Sequence, residues 1–252
     1  MASFHPRVHL ESHHASERYI DSVMAEKSEL FCSAEARDLH VVLLHEDTQS
    51  TRDLLEIAIV LSSILIAVWT PQGKLNAVVS IVAAACVVAF AIAGRRGAEQ
   101  LGLTRPLAGT TFMLLAGAIL CGVVLLIGLL LRFVGPVYHV PLSRSWQYAT
   151  WALQQEFILQ SIFFVRLEAI LGPRRAVVAA ASLFALVHVP SPVLTPLAFC
   201  GGILFCELFR RFRNLYSLGI IHAALGLTIA ASFPDKWLHH MRVGFGYLMI
   251  HH

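Results

Sequence analysis

Charge is what this sequence has least of: Asp, Glu, Lys and Arg make up 14% of its 252 residues, against about a quarter in an ordinary soluble domain. Hydrophobic residues make up 57%, and the mean hydropathy is +0.68. Polar residues are too few to cover a globular core of that composition, so a soluble enzyme domain is excluded and a polytopic membrane protein is expected. The formal net charge is only +3, and the basic residues are scattered rather than interleaved with aromatics. They leave no electrostatic footprint for nucleic acid. Cysteine is scarce too. Cys32, Cys86, Cys121, Cys200 and Cys206 form no Cys-x-x-Cys pair, and all but Cys32 lie in apolar runs, where a thiol behaves as a small hydrophobe. Neither a disulfide framework nor a cysteine-ligated zinc is expected. A basic start followed by an apolar stretch, the mark of a secretory leader, is also missing.

Residues 1–53 differ in kind from the rest. Acids and bases alternate there without a sustained apolar run, and His5, His9, His13 and His14 are irregularly spaced. This reads as a polar, partly disordered tail on the cytoplasmic side rather than a metal site. From residue 54 onward, apolar runs approach the ~20 residues that a bilayer-crossing helix needs. Seven crossings are expected, at 54–70, 75–94, 106–131, 146–166, 176–188, 193–209 and 215–233. The predicted architecture is an all-α membrane domain over 54–233 with about seven transmembrane helices and a short tail at 234–252.

Seven crossings put the two ends of the domain on opposite sides. Arg52, Arg95, Arg96, Arg105, Arg166, Arg174, Arg175, Arg210, Arg211 and Arg213 flank the spans on the N-terminal side, and Lys74, Arg132, Arg144, Lys236 and Arg242 flank them on the other. The excess predicts a cytoplasmic N-terminus. On this reading Arg166 and Glu168 are interfacial charges on the cytoplasmic rim, and Asn214, with the basic run before it, sets topology.

Three ionisable residues stand out against the apolar background. Glu156 lies in WALQQEFILQSIFFVRL with Gln154, Gln155 and Gln160 around it, His188 ends FALVH, and His222 sits in LGIIHAALG. At ~1.5 Å per residue, Glu156 and His222 fall roughly 13–15 Å inside the membrane, with His188 nearer the outer face. Such groups are costly in a bilayer unless they meet partners, so the three are expected to form one site. Structural alternatives stand beside this: a paired or protonated carboxyl for Glu156, a helix-end cap for His188 beside Pro190, and interhelical hydrogen bonding for Gln155 and Gln160; His222 has less reason of that kind to sit in an apolar run.

Taken in order, QEFILQ, FALVH and HAALG resemble the motifs of the CPBP family of intramembrane proteases, the CAAX-processing and bacteriocin-processing enzymes also called Abi. The family pattern is Glu-Glu-x-x-x-Arg, Phe-x-x-x-His and His-x-x-x-Asn. Phe184 and His188 match the second motif, His222 the histidine of the third, and Glu156 the second glutamate of the first. Gln155 stands at the first glutamate, Gln160 at the arginine and Gly226 at the asparagine, which suggests a glutamine-rich branch.

The resemblance implies an integral protein of a bacterial inner (plasma) membrane that cleaves a membrane-anchored protein or peptide. Within it, Glu156 is expected to act as base and later acid, His188 to hold the water and His222 to donate to the oxyanion, with Gln155 or Gln160 as a further amide donor. No cofactor is favoured. The alternative is Zn²⁺ on Glu156, His188 and His222 with water in the open position. Two non-proteolytic readings stand beside these: an inactive relative that binds or protects a client, and a proton-coupled transporter using the same three residues as a relay.

Overall fold

The computed structural model describes residues 48–94, 96–131 and 142–249. The chain divides into two units, 1–51 and 52–252. Of the expected tail at 1–53, residues 1–47 lie outside the described residues and 48–53 belong to the first helix; the site belongs to the second unit. The order is α1 (48–69), α2 (Lys74–Ala93), α3 (Thr110–Leu131), α4 (Leu142–Glu156), a π-helical segment (Phe157–Phe164), α5 (Val165–Leu171), α6 (Pro173–Leu186), α7 (Leu194–Phe212) and α8 (Leu215–Ser232). Two short helices follow, α9 (Asp235–Leu238) and α10 (Gly244–Leu248), with a 3₁₀ turn at His239–Met241 between them. The fold is all-α.

Of these helices, α2, α3 and α8 are long and apolar enough to cross a membrane. In α2 only Ala83 and Val87 are buried, and in α3 only Met113 and Gly117. Helices that are apolar all round yet exposed in the isolated chain turn those faces to lipid. The expected fourth crossing differs from a plain helix. Residues 142–171 continue helically, but the backbone widens to π geometry over Phe157–Phe164 before returning to α.

Polar side chains settle the helix ends. Asn76 Nδ2 donates to Ala67 O at 2.8 Å and to Thr70 O at 3.1 Å, serving carbonyls that the end of α1 leaves open. Asn214 is the N-cap of α8: its Oδ1 accepts from Ser217 N at 3.1 Å, while Nδ2 donates to Pro106 O at 2.8 Å and to Ala108 O at 3.0 Å. The topological residue expected from sequence is thus a buried clamp between the approach to α3 and the start of α8. Packing joins α6 to α7, and α3 and α4 to α8. Gly202 permits the first contact, since a Cβ there would lie 3.0 Å from Ala181 Cα. Small residues bring membrane helices together in this way.

Arg166, expected on the rim, is 1% exposed. Its Nε donates to Glu56 Oε2 at 2.8 Å, Nη1 to Ser161 O at 3.0 Å and Ile162 O at 3.2 Å, and Nη2 to Phe90 O at 3.0 Å. Nη2 also stands 2.6 Å from Glu56 Oε2, so every guanidinium N–H has an acceptor. The reason it can be buried lies 110 residues earlier in the chain: the carboxylate of α1 neutralises it, and carbonyls of α2 and the π segment take the remaining protons. Around it, Arg96 grips Asp53 through two bonds of 3.1 and 2.6 Å, and Arg213 pairs with Glu168. Removing one partner of a buried pair leaves a charge without compensation. Arg166→Ala should therefore destabilise the full chain in detergent by about 3–5 kcal/mol, measured by thermal denaturation. Arg52→Ala, at a side chain that is 45% exposed and donates to Glu56 Oε1 at 2.9 Å and to Ala93 O at 3.0 Å, should cost at most about 1 kcal/mol.

Candidate active site

The π segment begins directly after Glu156, and the N–H of Val165 reaches back five residues to Gln160 O. Single π insertions inside α-helices are rare and favour functional sites. Here Leu159 through Phe164 are buried without a break, so this stretch has no solvent or lipid face and must be surrounded. It packs against α2, α6 and α7. Ser161 Oγ also donates to Leu101 O at 2.9 Å, tying the loop after α2 to the same segment.

Glu156 at its head is 0% exposed. Both carboxylate oxygens are engaged: Oε1 lies 2.8 Å from His222 Nδ1 on α8, and Oε2 accepts from Gln160 Nε2 at 3.0 Å. With Glu156 as the carboxylate, an acceptor only, Nδ1–H of His222 donates and its Nε2 keeps a lone pair. His188 follows the end of α6, and its Nδ1 lies 2.8 Å from Phe184 O. A backbone carbonyl cannot donate, so this nitrogen carries the proton and Nε2 again presents a lone pair. Phe184 packs edge-on against both rings, at 4.7 Å from His188 and 6.1 Å from His222, and Phe205 stacks on His222 at 5.4 Å. The two imidazoles are therefore fixed by rings as well as by hydrogen bonds.

A cavity of about 200 Å³ opens beside them. Its walls are mostly apolar, with Phe163, Phe184, Phe205 and Leu197 among them, and its polar groups are Tyr148, Gln155, His188 and His222. Met241 and Val243, from the segment beyond α8, line another part of it. Of the residues expected from sequence, Gln155, Phe184, His188 and His222 are on the wall. Glu156 and Gln160 lie behind it, and the carboxylate reaches the cavity only through the imidazole of His222. Tyr148 was not expected. Its only signal is position, two helical turns before Gln155 and on the same face of α4.

The three-ligand zinc set suggested from sequence is not gathered here: among the described residues no three of His, Cys, Asp and Glu stand together as metal ligands. Both oxygens of Glu156 are taken, by His222 Nδ1 and Gln160, which leaves Nε2 of His188 and of His222 as the lone pairs on the cavity.

Residues 147–228 match the model of a known family, described as type II CAAX prenyl endopeptidase Rce1-like. This segment is similar to the Rce1-like CAAX proteases. That is the family of membrane proteases that the three motifs resemble, and the match spans about a third of the chain. No curated protein and no solved structure matches the chain. The matched segment holds Tyr148, Gln155, Glu156, Gln160, Phe184, His188 and His222 together, so the cavity's polar wall and the pair behind it come from one segment. The match to a membrane-protease family and three apolar helices long enough to span mark the chain as an integral membrane protein.

Gln160→Ala withdraws the only donor to Glu156 Oε2 among the described residues and should lower stability by about 1–3 kcal/mol. Gln155→Ala, which breaks no hydrogen bond among the described residues, should stay within about 0.5 kcal/mol of wild type. Parallel thermal melts of the two variants check this.

Proposed function

We propose that the chain is an intramembrane endopeptidase that hydrolyses a peptide bond of a membrane-tethered substrate, with Glu156 and His222 acting as one proton-transfer unit. The observation that carries this is the 2.8 Å contact between Glu156 and His222 Nδ1, directly behind a cavity that His222 and His188 both line. Nε2 of His222 takes a proton from a water in the cavity, and the buried carboxylate stabilises the imidazolium that forms. His188 Nε2 accepts the water's other hydrogen and aims its oxygen at the scissile carbonyl. The Gln155 amide is available to that carbonyl's oxygen. His222 then returns the proton to the leaving amine, so water is consumed and both peptide ends are accounted for.

The apolar wall suits the aliphatic and aromatic side chains of a substrate that arrives from the bilayer. In this reading the remaining long helices join α2, α3 and α8 in a bundle of seven crossings in a bacterial inner membrane, N-terminus inside. The cluster of Arg96, Arg166 and Arg213 at one end of the bundle supports that orientation.

A second reading has a specific observation in its favour. Among the described residues no carboxylate lines the cavity, and Gln155 stands on the wall where the resembled pattern has glutamate. A protein that holds a client without cutting it would keep such a cavity. The two readings separate on a farnesylated CAAX-type peptide presented to the full chain in liposomes. Glu156→Gln should reduce cleavage about 10²–10⁴-fold while photocrosslinking to the peptide persists; equal cleavage by wild type and Glu156→Gln would sink the protease reading. Peptide binding by a wild type that never cuts favours the client-holding role. The proton-transfer step routes through no metal, so dialysis against a chelator should leave cleavage within about twofold of the untreated chain; loss of activity restored by zinc contradicts it.

A further inference from the structure

We propose that the hydroxyl of Tyr148 is the hydrogen-bond donor that holds the oxygen of the reacting carbonyl. This rests on the peptide-hydrolysis reading of the same cavity. The acyl carbon becomes tetrahedral when water adds, and its oxygen gains charge that needs donors already aimed at it. The wall's two imidazoles cannot serve in the resting site: Nδ1–H of His188 is used by Phe184 O, that of His222 by Glu156, and both present lone pairs at Nε2. The Gln160 amide is spent on Glu156. Trp151 also borders the cavity, but at 57% exposure it is too open to offer a preorganised donor. Gln155 and Tyr148 remain, and neither makes a hydrogen bond among the described residues.

Gly226 gives Tyr148 its position. It follows His222 by one helical turn and so shares its face of α8. A Cβ placed on Gly226 would lie 1.9 Å from Tyr148 Oη and 2.8 Å from Cζ. The phenol thus fills the space in which a side chain at 226 would start, beside His222 and on the cavity wall. Gly226 does not have the positive φ that would call for glycine on backbone grounds; the tyrosine is what excludes a larger residue. A half-buried tyrosine ordinarily finds a partner for its hydroxyl. Tyr148 lines the cavity and has no such partner among the described residues, and a substrate oxygen is the acceptor the proposal supplies. Side chain and glycine therefore act as a pair: α4 supplies the donor and α8 the room for it.

The test uses the full chain in liposomes and the farnesylated CAAX-type peptide, with kcat and KM measured separately. Tyr148→Phe should lower kcat about 100-fold with KM within about threefold of wild type, because the lost interaction strengthens only as charge develops. Its thermal midpoint should stay close to wild type. A second variant approaches the same space from the other helix: in Tyr148→Ala/Gly226→Asn, an amide on α8 takes the vacated room, and kcat should exceed that of Tyr148→Ala at least about tenfold. Unchanged kcat in Tyr148→Phe, a loss confined to KM, or a double variant no better than Tyr148→Ala overturns the donor role while the hydrolysis reading stands. A wild-type chain that leaves the peptide uncut overturns both together.

Discussion

A carboxylate sealed from water must find a donor for each of its oxygens, and the arrangement around Glu156 follows from that requirement. One donor, Gln160, comes from the next turn of the same chain segment, at 3.0 Å; the other, His222, comes from α8, at 2.8 Å. Meeting the second brings α4 and α8 close along their length, which Gly219 allows by facing Leu153 and Gly226 by facing Tyr148. His222 is then held from three sides, by the carboxylate, by Phe184 and by Phe205. A base whose position is so constrained is preorganised for proton transfer, since the hydrogen bond that fixes its tautomer also stabilises its charged form.

The same segment is anchored at its far end by a second polar cluster. Arg166 takes carbonyls of the π segment and of α2 and is neutralised by Glu56, while Asn214 clamps the start of α8 to the approach of α3. The two elements that form the site, Glu156 with its π segment and α8, are therefore each pinned by buried hydrogen bonds at one end. Between those ends the contacts are apolar. In a bilayer, where lipid competes equally for apolar surface, such polar ties and close small-residue contacts are what distinguish one helix arrangement from another.

Much of this was legible in the sequence because ionisable residues in apolar runs are conspicuous. Glu156, His188 and His222 stand out for that reason, and the helical class follows from the length of the runs. What was not legible depends on rotation and on distant partners. Whether Glu156 or Gln155 faces the cavity is set by how α4 turns into the π segment, and two adjacent residues on a helix point about 100° apart. Arg166 looked interfacial because its neutralising carboxylate lies in α1, far away in sequence. Tyr148 passed unnoticed since a tyrosine near a span's end fits the membrane interface equally well; its meaning emerges only with Gly226 beside it. The zinc ligand set was reasonable by residue type, yet both oxygens of Glu156 are turned to His222 Nδ1 and Gln160 rather than to a shared ion.

The central claim is that Glu156 acts through His222 as a unit, and a double-mutant cycle on peptide cleavage tests it most directly. Rates are measured for the wild type, Glu156→Gln, His222→Ala and the double variant in the same liposomes. Residues that act as one unit are strongly non-additive. The account predicts that the double variant is about as slow as His222→Ala alone. Losses that multiply across the two positions would contradict it, because the carboxylate and the imidazole would then be contributing separately to the reaction.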